Sequence, residues 1–432
     1  MNFKNIMNLM SKFKLSFLIL FLAVFSCDKK ADDIIEEVSL SPEIVAYEPD
    51  FIDENYLFLI ENGGTSSYLI NKQGDRLWTW DFDDNLGNDV ELLENGQLLG
   101  IFKDDNRPFT LGGGSGIIKL FETNGSLKWQ YTIADDNFLA HHDVEMLPNG
   151  NILVMVWERI TVDQAQQAGI ITNVDIFPEK LIEINPNNDQ IVWEWRSWDR
   201  LVQDIDTNLP NFGEVSNYPE KIDFNYNTNT SGGDIMHANG IDYDTDKDVI
   251  HMSVNFYNEI WVIDHSTSTL QAESNLGGNY NKGGDLIYRY GNPAAYKNTE
   301  GNTIFNNNHY PNLLEGNVEG QGNMLIYVNN HGNLTQSIVY ELELPEVFKL
   351  LPNVNNEPNI VWSFTNSDMY APKFSGAVRL SNGNTLICEG DYGYWEVTQS
   401  GEVVWKYEGN STSFWRGYSY DKNSPALSNL NL

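Results

Sequence analysis

The sequence predicts an all-β fold, a six-bladed β-propeller with long insertions between its strands, and three observations predict it. A hairpin unit recurs along the chain, a tryptophan-bearing strand recurs after it, and sustained helical periodicity is almost absent.

The hairpin unit is a polar start, an apolar pair, Asn-Gly and an apolar strand. NDVELLENGQLLGIF (88–102) and HDVEMLPNGNILVMV (142–156) match at Asp, Val, Glu, Leu, Asn-Gly and a later Leu, and SGAVRLSNGNTLICE (375–389) repeats the pattern. Asn-Gly between alternating apolar runs signals a tight hairpin, with both central turn residues expected at positive φ.

The second unit is a turn and a strand carrying tryptophan: GDRLWTWDF (74–82), GSLKWQYTI (125–133), DQIVWEWRSW (189–198), NIVWSFTN (359–366) and GEVVWKYEG (401–409). TLQAESNLGG and DLIYRYGNP, within 269–293, read as degenerate copies. Together the units describe a four-stranded sheet repeated about six times at a spacing of roughly 50–70 residues, against ~40–45 for a WD-type blade, so insertions account for the excess. Short helices are expected only at 162–167 and 200–204. A β-sandwich or a pair of barrels competes, but neither predicts a tryptophan strand at this long period. The tryptophans are read as packing between blades.

Three segments are expected. Residues 1–26 read as a lipoprotein signal peptide: Lys4, Lys12 and Lys14 precede an apolar run over 15–25, too short to cross roughly 30 Å of hydrocarbon as a helix, and Ser26 precedes Cys27. Cys27 is then the lipidation site, an ordinary cleaved signal being the alternative. Residues 27–50 read as an acidic tether and 51–432 as the propeller. The expected location is the bacterial cell envelope, in the periplasm or on the outer-membrane surface, with the membrane touched through the lipid anchor only. Once Cys27 is lipidated only Cys388 remains, so no intramolecular disulfide is expected.

Sixty-one acidic residues against 26 basic ones give a formal charge of −35. Such a surface repels nucleic acid, and an anionic small substrate needs local cationic groups and donors. CxxC and HExxH motifs are missing, which removes zinc fingers and metalloproteases of the common kinds, and no Gly-rich phosphate loop is found; a metal site assembled from separate blades stays open, although no metal or other cofactor is among the expected components.

Residues that differ from copy to copy at one repeat position are the site candidates. Where the first copy has Asn88 the second has His142, preceded by His141, and comparable blade starts carry His237 and His309. One such histidine is ordinarily structural; three at equivalent positions around a channel suit a shared site that binds a metal, moves protons or attacks a phosphoryl- or sulfuryl-type centre. His251, His265 and His331 lack this context and read as structural or surface residues.

At this point the chain resembles the bacterial aryl-sulfate sulfotransferases. The resemblance covers roughly 60–415 and is strongest in HHDVEMLPNGNILVMVWE (141–158), HANGIDYDTDKDVIHMSVNFYNEIWVIDHST (237–267), GGDLIYRYGNPAAY (283–296) and FSGAVRLSNGNTLICEGDYGYWEVTQSGEVVWKY (374–407). It implies a six-bladed propeller that moves a sulfuryl group from an aryl sulfate donor to a phenolic acceptor, without cofactor. It also implies His309 as nucleophile, His142 and His237 as groups that hold the sulfuryl oxygens or protonate the leaving phenolate, Asn239 as an orienting residue and Ser375 as a hydroxyl donor. Two positions depart from the family pattern: His309 is followed by Tyr310 instead of Asp, and an expected arginine is Asn255. Arg289 or Arg379 could supply the charge, although Arg379 equally fits an ion pair between blades. A homodimer is entertained. Two other functions stay open, a propeller that binds a sulfated or phenolic ligand without turnover, and a scaffold for envelope proteins.

Overall fold

The computed structural model describes residues 39–227, 231–332, 334–409 and 412–432; the expected signal peptide, Cys27 and the first half of the expected tether lie outside them. Among the described residues six sheets form the blades of a propeller. Their innermost strands are Leu86–Leu92, Phe138–Met146, Ala238–Asp244, Asn308–Leu313, Gly376–Arg379 and Phe414–Tyr420, and from each the sheet steps outward in antiparallel order.

The ring is closed by pairing between the chain's two ends. Phe414–Tyr420 is the innermost strand of a blade whose other strands are Tyr56–Glu61, Ser66–Ile70 and Arg76–Asp81, with Tyr56 opposite Tyr420. A further strand, Ile44–Tyr47, pairs with Val403–Glu408 and gives its blade five strands. The sheet structure therefore starts before the boundary read at residue 51. The short IVAY run sits in a charged window, and its partner is remote in sequence, so composition concealed it.

The hairpin units are the two inner strands of a blade, and the tryptophan strands are the outermost of the original four. Trp80, Trp193, Trp195 and Trp405 are buried, as packing between blades requires. One copy is corrected: Tyr288–Tyr290 is an outer strand, but 269–278 holds the helical turn Thr269–Ala272, where Ser268 and Gln271 form a capping box. Helix Val162–Gln167 forms on its Thr161 cap, whereas 200–204 ends a 3-10 turn and enters the strand Leu201–Val202.

The hairpin turns also differ from expectation. Only the glycines, Gly96, Gly150 and Gly383, take positive φ (82°, 82° and 88°). Asn95, Asn149 and Asn382 instead accept hydrogen bonds through their side chains from the N–H two residues on, each at 2.9 Å. Asn is selected for this local bond and Gly for the left-handed position that closes a longer turn.

Candidate functional site

The inner strands do not run regularly into the channel mouth. Register shifts interrupt the pairing of Phe138–Met146, Ala238–Asp244 and Asn308–Leu313 near the histidines. Beside these bulges His142, His237 and Tyr310 take φ of 52°, 51° and 53°, and Ser375 takes 87°. Left-handed backbone at such residues costs on the order of 1–3 kcal/mol each and persists only where the surrounding sheet holds it. The strain turns the side chains toward the channel.

His142 and His237 meet there, with ring centres 4.8 Å apart and planes nearly perpendicular. The His142 ring lies on the backbone of Gly113, where a Cβ would stand 2.1 Å from it, so glycine at that position lets the loop close over the histidine. His237 is stacked on Phe256 at 4.7 Å, and its Nδ1 lies 2.5 Å from Asp234 Oδ2. Burial opposes protonation of His237, but the Asp234 carboxylate outweighs it and holds the imidazole above its usual range.

His309 stands farther off, within electrostatic reach of both. Its Nδ1 lies 2.6 Å from Oδ1 of Asn329, whose amide nitrogen donates to the carbonyls of Ala371 and Phe374. Burial, with His237 and Arg416 adding to it, pushes the His309 imidazole down to about 3. The ring is neutral, carries its proton on Nδ1, and keeps a lone pair on Nε2.

Asn239 and Asn255 both serve the strand of His309. Asn239 donates to the Asn308 carbonyl at 2.8 Å; Asn255 donates to the same carbonyl at 2.9 Å and to Asn307 Oδ1 at 2.6 Å. Ser375 accepts the Gly390 N–H at 3.1 Å and also engages the buried Tyr327 phenol. The neighbouring Phe374 packs on Trp415, which in turn packs against His142.

The two candidate arginines are not at the site. Arg289 is fully buried on an outer strand, paired with Glu259 and donating to the Lys221 carbonyl at 2.9 Å. Arg379 pairs with Glu341 of the adjacent blade, the inter-blade alternative. The charge beneath the histidines comes from Arg416, which is 2 % exposed. Its guanidinium donates to Asp143 Oδ2 at 2.8 Å and to the Asn239 carbonyl at 3.1 Å, and lies 3.6 Å from Asp89. Gly240 lets it approach, since a Cβ there would stand 2.7 Å from the guanidinium.

Arg416 divides the channel. On the histidine side a cavity of about 400 Å³ is lined by Thr110, Leu111, Gly112, Asp234, His237 and Phe256. On the other side a cavity of similar volume is lined by Asp89, Glu91, Asp143, Glu145, Asp242 and Glu315. Crowding there is severe: burial first, then neighbouring carboxylates, push Asp89 up to about 8 and Glu91 up to about 7, despite the opposing pull of Arg416.

Sequence reasoning missed Asp234, Glu179, Asn329 and Arg416. Asp234 precedes His237 by three residues and was the most accessible of the four signals; the others come from strands remote in sequence. Among the described residues, no group of three or more His, Cys, Asp or Glu is arranged to hold a metal ion.

A family model described as Arylsulfotransferase (ASST) matches residues 48–422. No curated protein matches the chain. Among solved structures the chain is similar to a protein of unknown function from Bacteroides caccae, at 13% identity and a TM-score of 0.48, over 85% of this chain and 99% of that one. It is also similar to a putative 6-phosphogluconolactonase from Bacteroides fragilis (10% identity, 85% and 99% covered, TM-score 0.41) and to BamB from Moraxella catarrhalis (9%, 87% and 80%, 0.33).

Proposed function

The chain belongs to the arylsulfotransferase family, and from that premise we propose that it moves a sulfuryl group from a phenolic sulfate ester to an acceptor phenol through a sulfohistidine on His309. The observation that carries this reading is the bond from His309 to Asn329, which leaves Nε2 as a neutral, buried nucleophile.

In the first half-reaction Nε2 attacks sulfur, the S–O(aryl) bond breaks, and its electron pair leaves on the phenolate oxygen, which takes a proton from the site. In the second, the acceptor oxygen attacks sulfur, the S–N bond breaks, and the acceptor proton returns to the site. His237, whose imidazole Asp234 holds above its usual range, donates to the sulfuryl oxygens; His142 handles the phenol proton; Leu111 and Phe256 flank the aryl ring. Arg416 contributes a fixed positive field in an otherwise acidic molecule. Export and anchoring through lipid on Cys27 belong to the same reading, and a Cys27→Ala chain that still fractionates with membranes would overturn that part.

The test is release of 4-nitrophenol from its sulfate ester with a phenolic acceptor present. The wild-type chain gives a burst and, after acid-free quenching, a His309 peptide heavier by one sulfuryl group. His309→Ala loses both, and a His309→Ala chain turning over at the wild-type rate would sink the assignment. A second reading, binding without turnover, draws on Asn255, whose amide hydrogens already engage Asn307 and Asn308 in place of an arginine clamp. Calorimetric binding of the ester with no transfer to the acceptor is its signature.

A further inference from the structure

Behind His142 stands a file of buried groups that the sulfuryl-transfer steps above do not use. Nδ1 of His142 faces Nδ1 of His141 at 2.8 Å, and Nε2 of His141 lies 2.9 Å from Oε2 of Glu179. His141 is fully buried and Glu179 is 1 % exposed. His141 lies parallel to the Trp157 indole at 3.9 Å, which fixes its ring plane. The other oxygen of Glu179 accepts the Ala238 N–H at 2.8 Å and the Trp157 indole N–H at 3.3 Å, while Oε2 makes no hydrogen bond among the described residues and faces His141. That contact is off the line of an ideal hydrogen bond, as catalytic contacts often are before substrate tightens them.

The geometry links the protonation of three groups in two states. Two Nδ1 atoms at 2.8 Å need one proton between them. With a proton on Glu179, the carboxyl donates to His141 Nε2, His141 donates through Nδ1, and His142 carries its own proton on Nε2. With Glu179 ionised, every proton sits one place nearer the carboxylate: on His141 Nε2 and on His142 Nδ1, leaving His142 Nε2 bare.

We infer that Glu179, His141 and His142 form a sealed proton relay that switches His142 Nε2 between acid and base within one catalytic cycle, an inference that rests on the transfer reading above. When the donor ester breaks, His142 Nε2 gives its proton to the phenolate oxygen. His141 passes its Nδ1 proton to His142 Nδ1, and Glu179 passes its proton to His141 Nε2. When the acceptor phenol attacks, its proton enters at His142 Nε2 and the file returns to its first state. Protons balance over the two halves without solvent. Glu179 and His141 are positioning residues, acting through His142.

The surroundings favour this file. Burial pushes the Glu179 carboxyl well above its usual range, with Asp234 adding to the shift and Ala238, His237 and Trp157 opposing it, a direction that favours the acid form. Burial likewise keeps His141 and His142 neutral; His141 faces Asp234, His237 and Asp143, and His142 faces His237, His141, His309 and Arg416.

Nitrogen NMR of the histidines tests it on the full chain without substrate. As pH rises through the Glu179 transition, the His142 proton moves from Nε2 to Nδ1 with no change of ring charge. Glu179→Gln, whose amide donates permanently to His141, locks His142 in the Nε2–H form. A His142 proton that keeps its nitrogen throughout, or a flip that survives Glu179→Gln, overturns the relay; if the variant fails to fold, the wild-type titration decides alone. Activity adds a readout that a structural role does not move. Glu179→Gln loses about 10²-fold with phenyl sulfate, a poor leaving group, and little with 4-nitrophenyl sulfate; equal losses count against the relay. A wild-type chain that transfers nothing, yet shows the flip, refutes the transfer reading and leaves the relay standing.

Discussion

The guanidinium carbon of Arg416 lies 4.1 Å from the ring centre of Tyr310, the residue next to the proposed nucleophile. One of the two departures from the family pattern, Tyr310, makes this contact. Tyr310 offers a ring face where an aspartate would add a third carboxylate beside Asp89 and Asp143, and Arg416 brings a cation near the site while Asn255 brings none.

Arg416→Met should therefore destabilise the fold and weaken binding of the donor ester together. Removing one partner of a buried pair costs about 3–5 kcal/mol because the remaining charge is stranded, here on Asp143. Arg416→Lys keeps the charge but loses the flat stack and the fork of donors, so it falls between. Thermal denaturation ranks the three proteins; a Met variant melting with the wild type refutes the keystone role.

Asn255→Arg should tighten donor binding. Asn255 is buried beside a cavity of about 390 Å³ lined by Asn227, Asn258, Asn306, Asn307 and Asn330, so a longer side chain has room. A charge-assisted bond to a sulfuryl oxygen contributes about 1.5–3 kcal/mol, equivalent to a KM lower by about ten-fold or more. Unchanged KM with intact folding would mean that position 255 does not face the donor.

The propeller was legible in the sequence because its signals are local. Asn-Gly turns and tryptophan strands are each written within about fifteen residues, and the histidines stand out as exceptions to that repeat. What joins distant segments was not legible. Arg416 lies on the strand that closes the ring, a pairing of the chain's two ends that no local pattern marks. Arg289 looked free because its partner, Glu259 across the sheet, is set by register; for Arg379 the inter-blade ion pair was readable as an alternative, but its partner, Glu341 in the next blade, was not. Asn95 was misread for a related reason: the dipeptide announces a turn, but only the backbone shows that its side chain closes it.

Activity should fall on the alkaline side as His237 loses its proton, since Asp234 holds that imidazole above its usual range after burial is overcome. Asp234→Asn removes the carboxylate, so the alkaline limb of kcat/KM moves to lower pH. The sign for stability follows from the same shift: the raised value contributes stability that is full below the unfolded histidine's pKa of about 6.5 and is lost as pH rises through the folded value. An alkaline limb that stays in place in Asp234→Asn assigns it to another group.

Acid should draw stability from the protein through its buried neutral histidines, and His251 offers the cleanest measurement. Its ring is fully buried on the strand Val249–Val254, neither nitrogen has a hydrogen-bond partner among the described residues, and burial, opposed by Asp244 and aided by Lys247, pushes it down to about 4. The unfolded chain takes up this proton near pH 6.5 while the folded one waits, so stability drains as pH falls between those two values, by about 1.4 kcal/mol for each pH unit between them. His251→Leu removes the group and its unpaired nitrogens together. The variant should match or exceed the wild type at neutral pH and pull ahead of it on acidification, read as the gap between urea midpoints at matched pH. A gap that stays constant from neutral to acid would show that His251 takes up its proton equally in both states, which its dry, unpartnered setting forbids.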